Sequence, residues 1–138
     1  MSRMNRLANT QNEYQGDFKK VLCVCSAGLL RSPTAALVLS QEPYNFNTRC
    51  AGTSREYALV LVDEFLLKWA DEIVCMDGYQ QNDVWKLMTE EQYETIRVLN
   101  LGIDDDYRYR DPILMKLIAE RYDVVSKQPK EPIITRDE

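Results

Sequence analysis

Cys25 is followed by five residues and then by Arg31 and Ser32, and that spacing can do chemistry on a phosphate. A loop of this length can curl its backbone N–H groups inward around one tetrahedral anion. Ser26, Ala27, Gly28, Leu29 and Leu30 would supply the amides. A helix starting at the end of the loop adds unpaired N–H groups and partial positive charge. Arg31 can close the cradle with a planar, two-pronged fork onto two oxygens. Cys25 would sit on the floor of that cradle, where the surrounding donors favour the thiolate, the nucleophilic form of the side chain. Ser32 is placed to hydrogen-bond the sulfur. The chain contains no histidine, which excludes Cys–His and Ser–His catalysis. Backbone dipoles and Arg31 must therefore activate this cysteine.

A phosphate ester also needs an acid to protonate its leaving oxygen. The candidates lie between Gly102 and Leu114, where Asp104, Asp105 and Asp106 form an acidic triplet and Asp111 precedes Pro112. Asp111 fits the role, since the loop follows a fourth strand and returns to the carboxyl edge of a parallel sheet, where Cys25 also lies. The alternative is that Asp111 only caps the helix that Pro112 starts. Asp105 and Asp106 are the runners-up. Tyr107 and Tyr109, interleaved with Arg108 and Arg110, could wall a pocket or lie on the surface.

Certain elements must position these residues. Val21, Leu22 and Val24 belong to a buried parallel strand over 18–24. Ser26-Ala27-Gly28 breaks it. Ser32 reads as an N-cap and Pro33 as a first-turn residue of a helix running to about Ser40. A short strand follows over 47–51, then a helix over 57–70 with Leu59, Leu61, Val62, Phe65, Leu66 and Trp69 on a broad apolar face. A third strand covers 71–76. Asp77 lies at its carboxyl end, where it could face a ligand or cap the next helix, 78–88. Thr89 starts another helix. The fourth strand is 95–101 and the last helix 113–122. Alternating strands and helices give a three-layer α/β fold.

With 138 residues the chain is long enough for one domain with one core. Residues 1–17 read as a flexible arm, 18–123 as the folded domain and 124–138 as a mobile tail. No apolar run is long enough to span a bilayer, and the first residues lack an apolar signal core. A soluble, cytoplasmic protein is expected. The net charge of −5 argues against nucleic-acid and membrane-surface binding. The four cysteines, Cys23, Cys25, Cys50 and Cys75, fall on or beside core strands, so reduced thiols are expected. Zinc is disfavoured, because Cys23-Val-Cys25 has the wrong spacing and no histidine can complete the site.

The run Cys-Ser-Ala-Gly-Leu-Leu-Arg-Ser-Pro-Thr-Ala over 25–35 resembles the active-site loop of the low-molecular-weight protein tyrosine phosphatases, and most of all a short, mostly predicted branch of that superfamily. Ala51-Gly52-Thr53, the string from Trp69 to Asp77, and Asp111-Pro112 are similar to further segments of the family. Two departures stand out. The family usually has Gly-Asn where this chain has Ala27-Gly28, so the hydrogen bonds of the Asn side chain are lost. Leu30 stands where many members carry a second loop cysteine, so an intraloop disulfide is not available.

The resemblance implies a four-stranded parallel sheet in the order 2-1-3-4. It also implies a two-step mechanism: thiolate Cys25 attacks phosphorus while Asp111 protonates the leaving oxygen, and water then hydrolyses the cysteinyl-phosphate. No metal or organic cofactor is required. The implied substrate is a phosphotyrosine protein or a small aryl phosphate, with inorganic phosphate or another oxyanion also able to occupy the loop. Tyr57, Tyr107 and Tyr109 would stand at the pocket rim. Two rivals stay open: arsenate reduction, which needs relay cysteines on a mobile segment, and a phosphate- or phosphopeptide-binding module with little turnover.

Overall fold

A computed structural model describes residues 18–26, 31–54, 58, 60–104 and 110–128. Strands β1 (Lys20–Cys25), β2 (Asn47–Gly52), β3 (Glu72–Cys75) and β4 (Arg97–Asn100) alternate with helices α1 (Arg31–Leu39), α2 (Glu64–Trp69), α3 (Gly78–Leu87), α4 (Glu90–Thr95) and α5 (Pro112–Ser126). The four strands form one sheet in the order β2-β1-β3-β4, and every pairing is parallel. The expected sheet order is thus the observed one.

Parallel strands need helical crossovers, and these cover both faces of the sheet. The alternation along β1 decides which side chain meets which layer. Val21, Cys23 and Cys25 share a core with Ala35, Ala36 and Leu39 of α1 and Leu114, Ile118 and Tyr122 of α5. Leu22 and Val24 face the opposite way, toward Leu66 and Leu67 of α2 and Val84 of α3. Each fully buried Leu or Ile in these layers stabilises the fold by about 1.5–3 kcal/mol. The chain therefore has a central strand buried on both faces, and the loop after it leaves from the middle of the carboxyl edge.

Two elements differ from expectation. The helix expected over 57–70 is only α2, because Leu61 forms a parallel bridge to Gly52. The Gly52 N–H donates to the Val60 carbonyl and the Val62 N–H to the Gly52 carbonyl. This strand-like pairing holds the backbone extended until Asp63 caps α2 by accepting from the Leu66 N–H. Phe65, expected in the apolar face, is 72% exposed, and Leu67 is buried instead. The last helix continues past Tyr122 to Ser126, with Val125 buried and Arg97 donating to the carbonyls of Val125 and Ser126. That guanidinium satisfies the helix end and lengthens it. Of the expected arm and tail, 1–17 and 129–138 lie outside the described residues.

The amino end of the sheet is closed by a polar knot. Glu72 is buried and accepts from the Tyr122 hydroxyl at 2.7 Å and from Lys19 Nζ at 3.4 Å. Lys19 Nζ also stands 5.0 Å from the Phe46 ring centre. A buried carboxylate needs such donors. Among the described residues no helix is long and apolar enough to cross a membrane.

Candidate active site

The carboxyl ends of β1 and β3, the first turn of α1 and the start of α5 converge on one spot. Cys25 closes β1 and is 3% exposed. Its Sγ lies 3.2 Å from Ser32 Oγ, with the thiol donating, and that oxygen lies 3.4 Å from the Ala51 carbonyl. Helix α1 begins at Arg31, so Ser32 is inside its first turn and does not act as the expected N-cap. Its hydroxyl turns toward the sulfur. A hydroxyl can reverse its role, accepting from a thiol and donating to a thiolate.

Arg31 is 4% exposed. Nη1 donates to the Ile103 carbonyl at 2.7 Å and stands 3.5 Å from Asp77 Oδ2. The loop after β4 therefore supplies an anchor for the guanidinium. A backbone carbonyl has no residue-type signature, and sequence reasoning missed it.

Asp77 combines the roles that its position left open. Its Oδ1 accepts from the N–H groups of Tyr79 and Gln80, capping α3. Its Oδ2 accepts from Gln80 Nε2 at 3.2 Å and faces Arg31. Gln80 is fully buried, and Nε2 also donates to Ser26 Oγ at 3.1 Å. This glutamine was not anticipated. Its signal was the capping-box spacing, an N-cap Asp followed three residues later by Gln.

Asp111 caps α5: its Oδ1 accepts from the Ile113 N–H at 2.9 Å. The preceding Arg110 adopts a left-handed backbone with φ 61°, and its N–H donates to Thr34 Oγ1 at 2.9 Å. Thr34 lies one turn beyond Arg31 on α1, so this bond docks the Asp111 loop onto the helix that starts at the cradle. Thr34 is a third anchor missed in the sequence. Ser26, Arg31, Ser32, Cys25 and Asp111 thus belong to one edge of the fold. Ala27, Gly28, Leu29 and Leu30, the rim tyrosines Tyr57, Tyr107 and Tyr109, and the runners-up Asp105 and Asp106 lie outside the described residues. Beside Arg31's anchors opens a cavity of about 470 Å³ lined by Asp77, Gly78, Tyr79, Asn82 and Asp104.

The other cysteines sit in a different setting. Cys23 pairs with Cys50 across β1 and β2, and Cys75 faces the opposite layer. None of them is in a disulfide. Burial pushes the thiols of Cys23 and Cys75 well up, with smaller contributions from neighbouring acidic groups. It pushes Cys50 to about 12.

No protein-family model and no curated protein matches the chain. Solved structures do. Wzb of Vibrio vulnificus, in complex with benzylphosphonate, superposes with a TM-score of 0.60 at 19% identity, over 78% of this chain and 96% of that one. A low-molecular-weight phosphotyrosine phosphatase of Vibrio cholerae O395 gives 0.54 at 19% identity, over 77% and 95%. The YwlE arginine phosphatase of Geobacillus stearothermophilus gives 0.53 at 16% identity, over 78% and 88%. The chain has the fold of the low-molecular-weight phosphotyrosine phosphatases.

Proposed function

We propose that the protein is a cysteine-dependent phosphomonoester hydrolase acting on phosphotyrosine. The observation that carries this reading is the placement of Cys25 Sγ against Ser32 Oγ, in the first turn of a helix whose first residue, Arg31, is buried and anchored through Nη1. With Nη1 held by the Ile103 carbonyl, the fork that takes two phosphate oxygens is the opposite, Nε–Nη2 edge of the guanidinium.

In the first step the Cys25 thiolate attacks phosphorus in line with the ester oxygen. The S–P bond forms as the P–O bond breaks, and Asp111 delivers its proton to the departing phenoxide. Arg31, the loop amides and the α1 N-terminus stabilise the equatorial oxygens. In the second step Asp111, now a carboxylate, takes a proton from water. The water oxygen bonds to phosphorus, the S–P bond breaks, and Ser32 donates to the leaving thiolate. Capping and catalysis are compatible in Asp111: Oδ1 accepts from Ile113, and among the described residues Oδ2 accepts from no protein group.

An aryl phosphate is the better fit for a buried sulfur, since a long, flat ester reaches it. The phosphatase folds compared above include a protein acting on phosphoarginine, so the side-chain class needs a direct test. Hydrolysis of p-nitrophenyl phosphate between about pH 5 and pH 8, without added metal, is expected for the wild type and absent in Cys25→Ser. Asp111→Asn, which keeps the cap, is expected to lower kcat by about 10²–10³. A phosphotyrosine peptide should be consumed faster than a phosphoarginine peptide. Oxyanion binding without turnover would instead identify a binding module.

A further inference from the structure

The residues flanking the loop 27–30 are Ser26 and Arg31, and one side chain outside the loop reaches toward both. Gln80 Nε2 donates to Ser26 Oγ at 3.1 Å and to Asp77 Oδ2 at 3.2 Å. Asp77 Oδ2 in turn stands 3.5 Å from Arg31 Nη1. On the other side of the amide, Oε1 accepts from the N–H of Met76 at 3.1 Å and of Asp77 at 2.9 Å. Backbone N–H groups can only donate, so the orientation of this amide is fixed, and Nε2 must point toward Ser26 and Asp77. Gln80 is fully buried, so its own amide atoms are shielded from water.

We infer that Gln80 is a positioning residue that clamps both ends of the oxyanion loop, one directly through Ser26 and the other through Asp77 and Arg31. The inference rests on the phosphatase reading only for what the loop does. The clamp is anchored in the end of β3 and the first turn of α3, which are rigid elements. Fixing the two feet of a short loop fixes the directions of its amides, and a small misplacement of such donors reduces catalysis more than ground-state binding. The bond to Ser26 also supplies an attachment for a loop that has Ala27-Gly28 and no loop asparagine.

The donor and acceptor sides of Gln80 can be tested separately. Gln80→Met removes both. Gln80→Glu keeps an acceptor for the Met76 and Asp77 N–H groups but has no donor for Ser26 or Asp77. Ser26→Ala removes only the far end and changes an exposed side chain. Kinetics on p-nitrophenyl phosphate are expected to show kcat lowered about tenfold in both Gln80 variants with KM within about twofold, and about threefold in Ser26→Ala. Vanadate, a mimic of the five-coordinate transition state, should bind about tenfold more weakly to both Gln80 variants. Its binding is read by protection of Cys25 from iodoacetate.

Adding Ser26→Ala to Gln80→Met should cost nothing further. Wild-type behaviour of Gln80→Glu would overturn the clamp, since the backbone-capping side alone would then suffice. So would full multiplication of the two single effects. If the wild type binds vanadate without turnover and the variants weaken that binding, the clamp stands and the phosphatase reading fails. If the wild type turns over and the variants match it, the reverse holds. A wild type that does neither contradicts both. Should Gln80→Met not fold, Gln80→Glu and Ser26→Ala decide the matter alone.

Discussion

Cys23 and Cys25 lie two residues apart on the same face of β1, and both are buried. Cys23 sits mid-strand, opposite Cys50 on one side and Val74 on the other. Burial and the neighbouring thiols hold it protonated. Cys25 ends the strand, with Ser32 Oγ 3.2 Å from its sulfur and the first turn of α1 beside it. One step along the pleat separates a packing group from a candidate nucleophile. On the proposed reading, burial does not decide reactivity. The carboxyl end of a central parallel strand does, because a helix begins there and its N–H groups point back at the strand end.

The sharpest way to break this comparison is to exchange the cysteines one at a time. Cys25→Ser is expected to lower kcat for an aryl phosphate by about a thousandfold or more. Cys23→Ala and Cys75→Ala should leave kcat within about threefold and instead cost roughly 1 kcal/mol of stability from lost packing. An equal loss of activity from Cys23→Ala or Cys75→Ala would remove the distinction.

A second effect is expected in alkaline solution. Burial pushes the Cys50 thiol up to about 12, against 9.0 for an ordinary thiol. The unfolded chain then loses its proton first as pH rises. The stability this thiol contributes is whole below pH 9.0 and is lost as pH climbs toward about 12. The slope is at most about 1.4 kcal/mol per pH unit for each such group. Urea denaturation at rising pH should show this decline, and Cys50→Ala should flatten it. Tyr44 is likewise pushed up to about 12 by burial and by its bond to Asp123, so its share begins at higher pH.

A smaller effect separates the two ends of the sheet. Tyr122→Phe removes the hydroxyl that donates to buried Glu72 and should cost about 1–3 kcal/mol of stability. It lies at the amino end, away from the Cys25 loop, so kcat is expected to stay unchanged. A loss of kcat without a loss of stability would contradict the division of labour between the ends.

The strands and the candidate nucleophile were legible because both rest on local chemistry, whereas the sheet order came from the family resemblance. Apolar β-favouring runs mark the strands, and Cys25, Arg31 and Ser32 lie within one strand–turn–helix. The helix expected over 57–70 misled, since an apolar face at helical spacing also fits a segment that pairs with Gly52 through its backbone. Asp111 read as the acid with a helix cap as the alternative, and its cap is the part the geometry displays. The anchors of the site were the least visible. Thr34, Gln80 and the Ile103 carbonyl act across long sequence separations, and only the fold brings them to Arg31, Ser26 and Arg110.

The most direct test is to trap the covalent intermediate. The protein is mixed with an aryl phosphate, quenched within milliseconds, digested and mapped by mass spectrometry. The account predicts phosphate on the peptide containing Cys25, more of it in Asp111→Asn if hydrolysis of the cysteinyl-phosphate is slowed most, and none in Cys25→Ser. Turnover with no phosphorylated cysteine, or with phosphate on Cys23, Cys50 or Cys75, would contradict it.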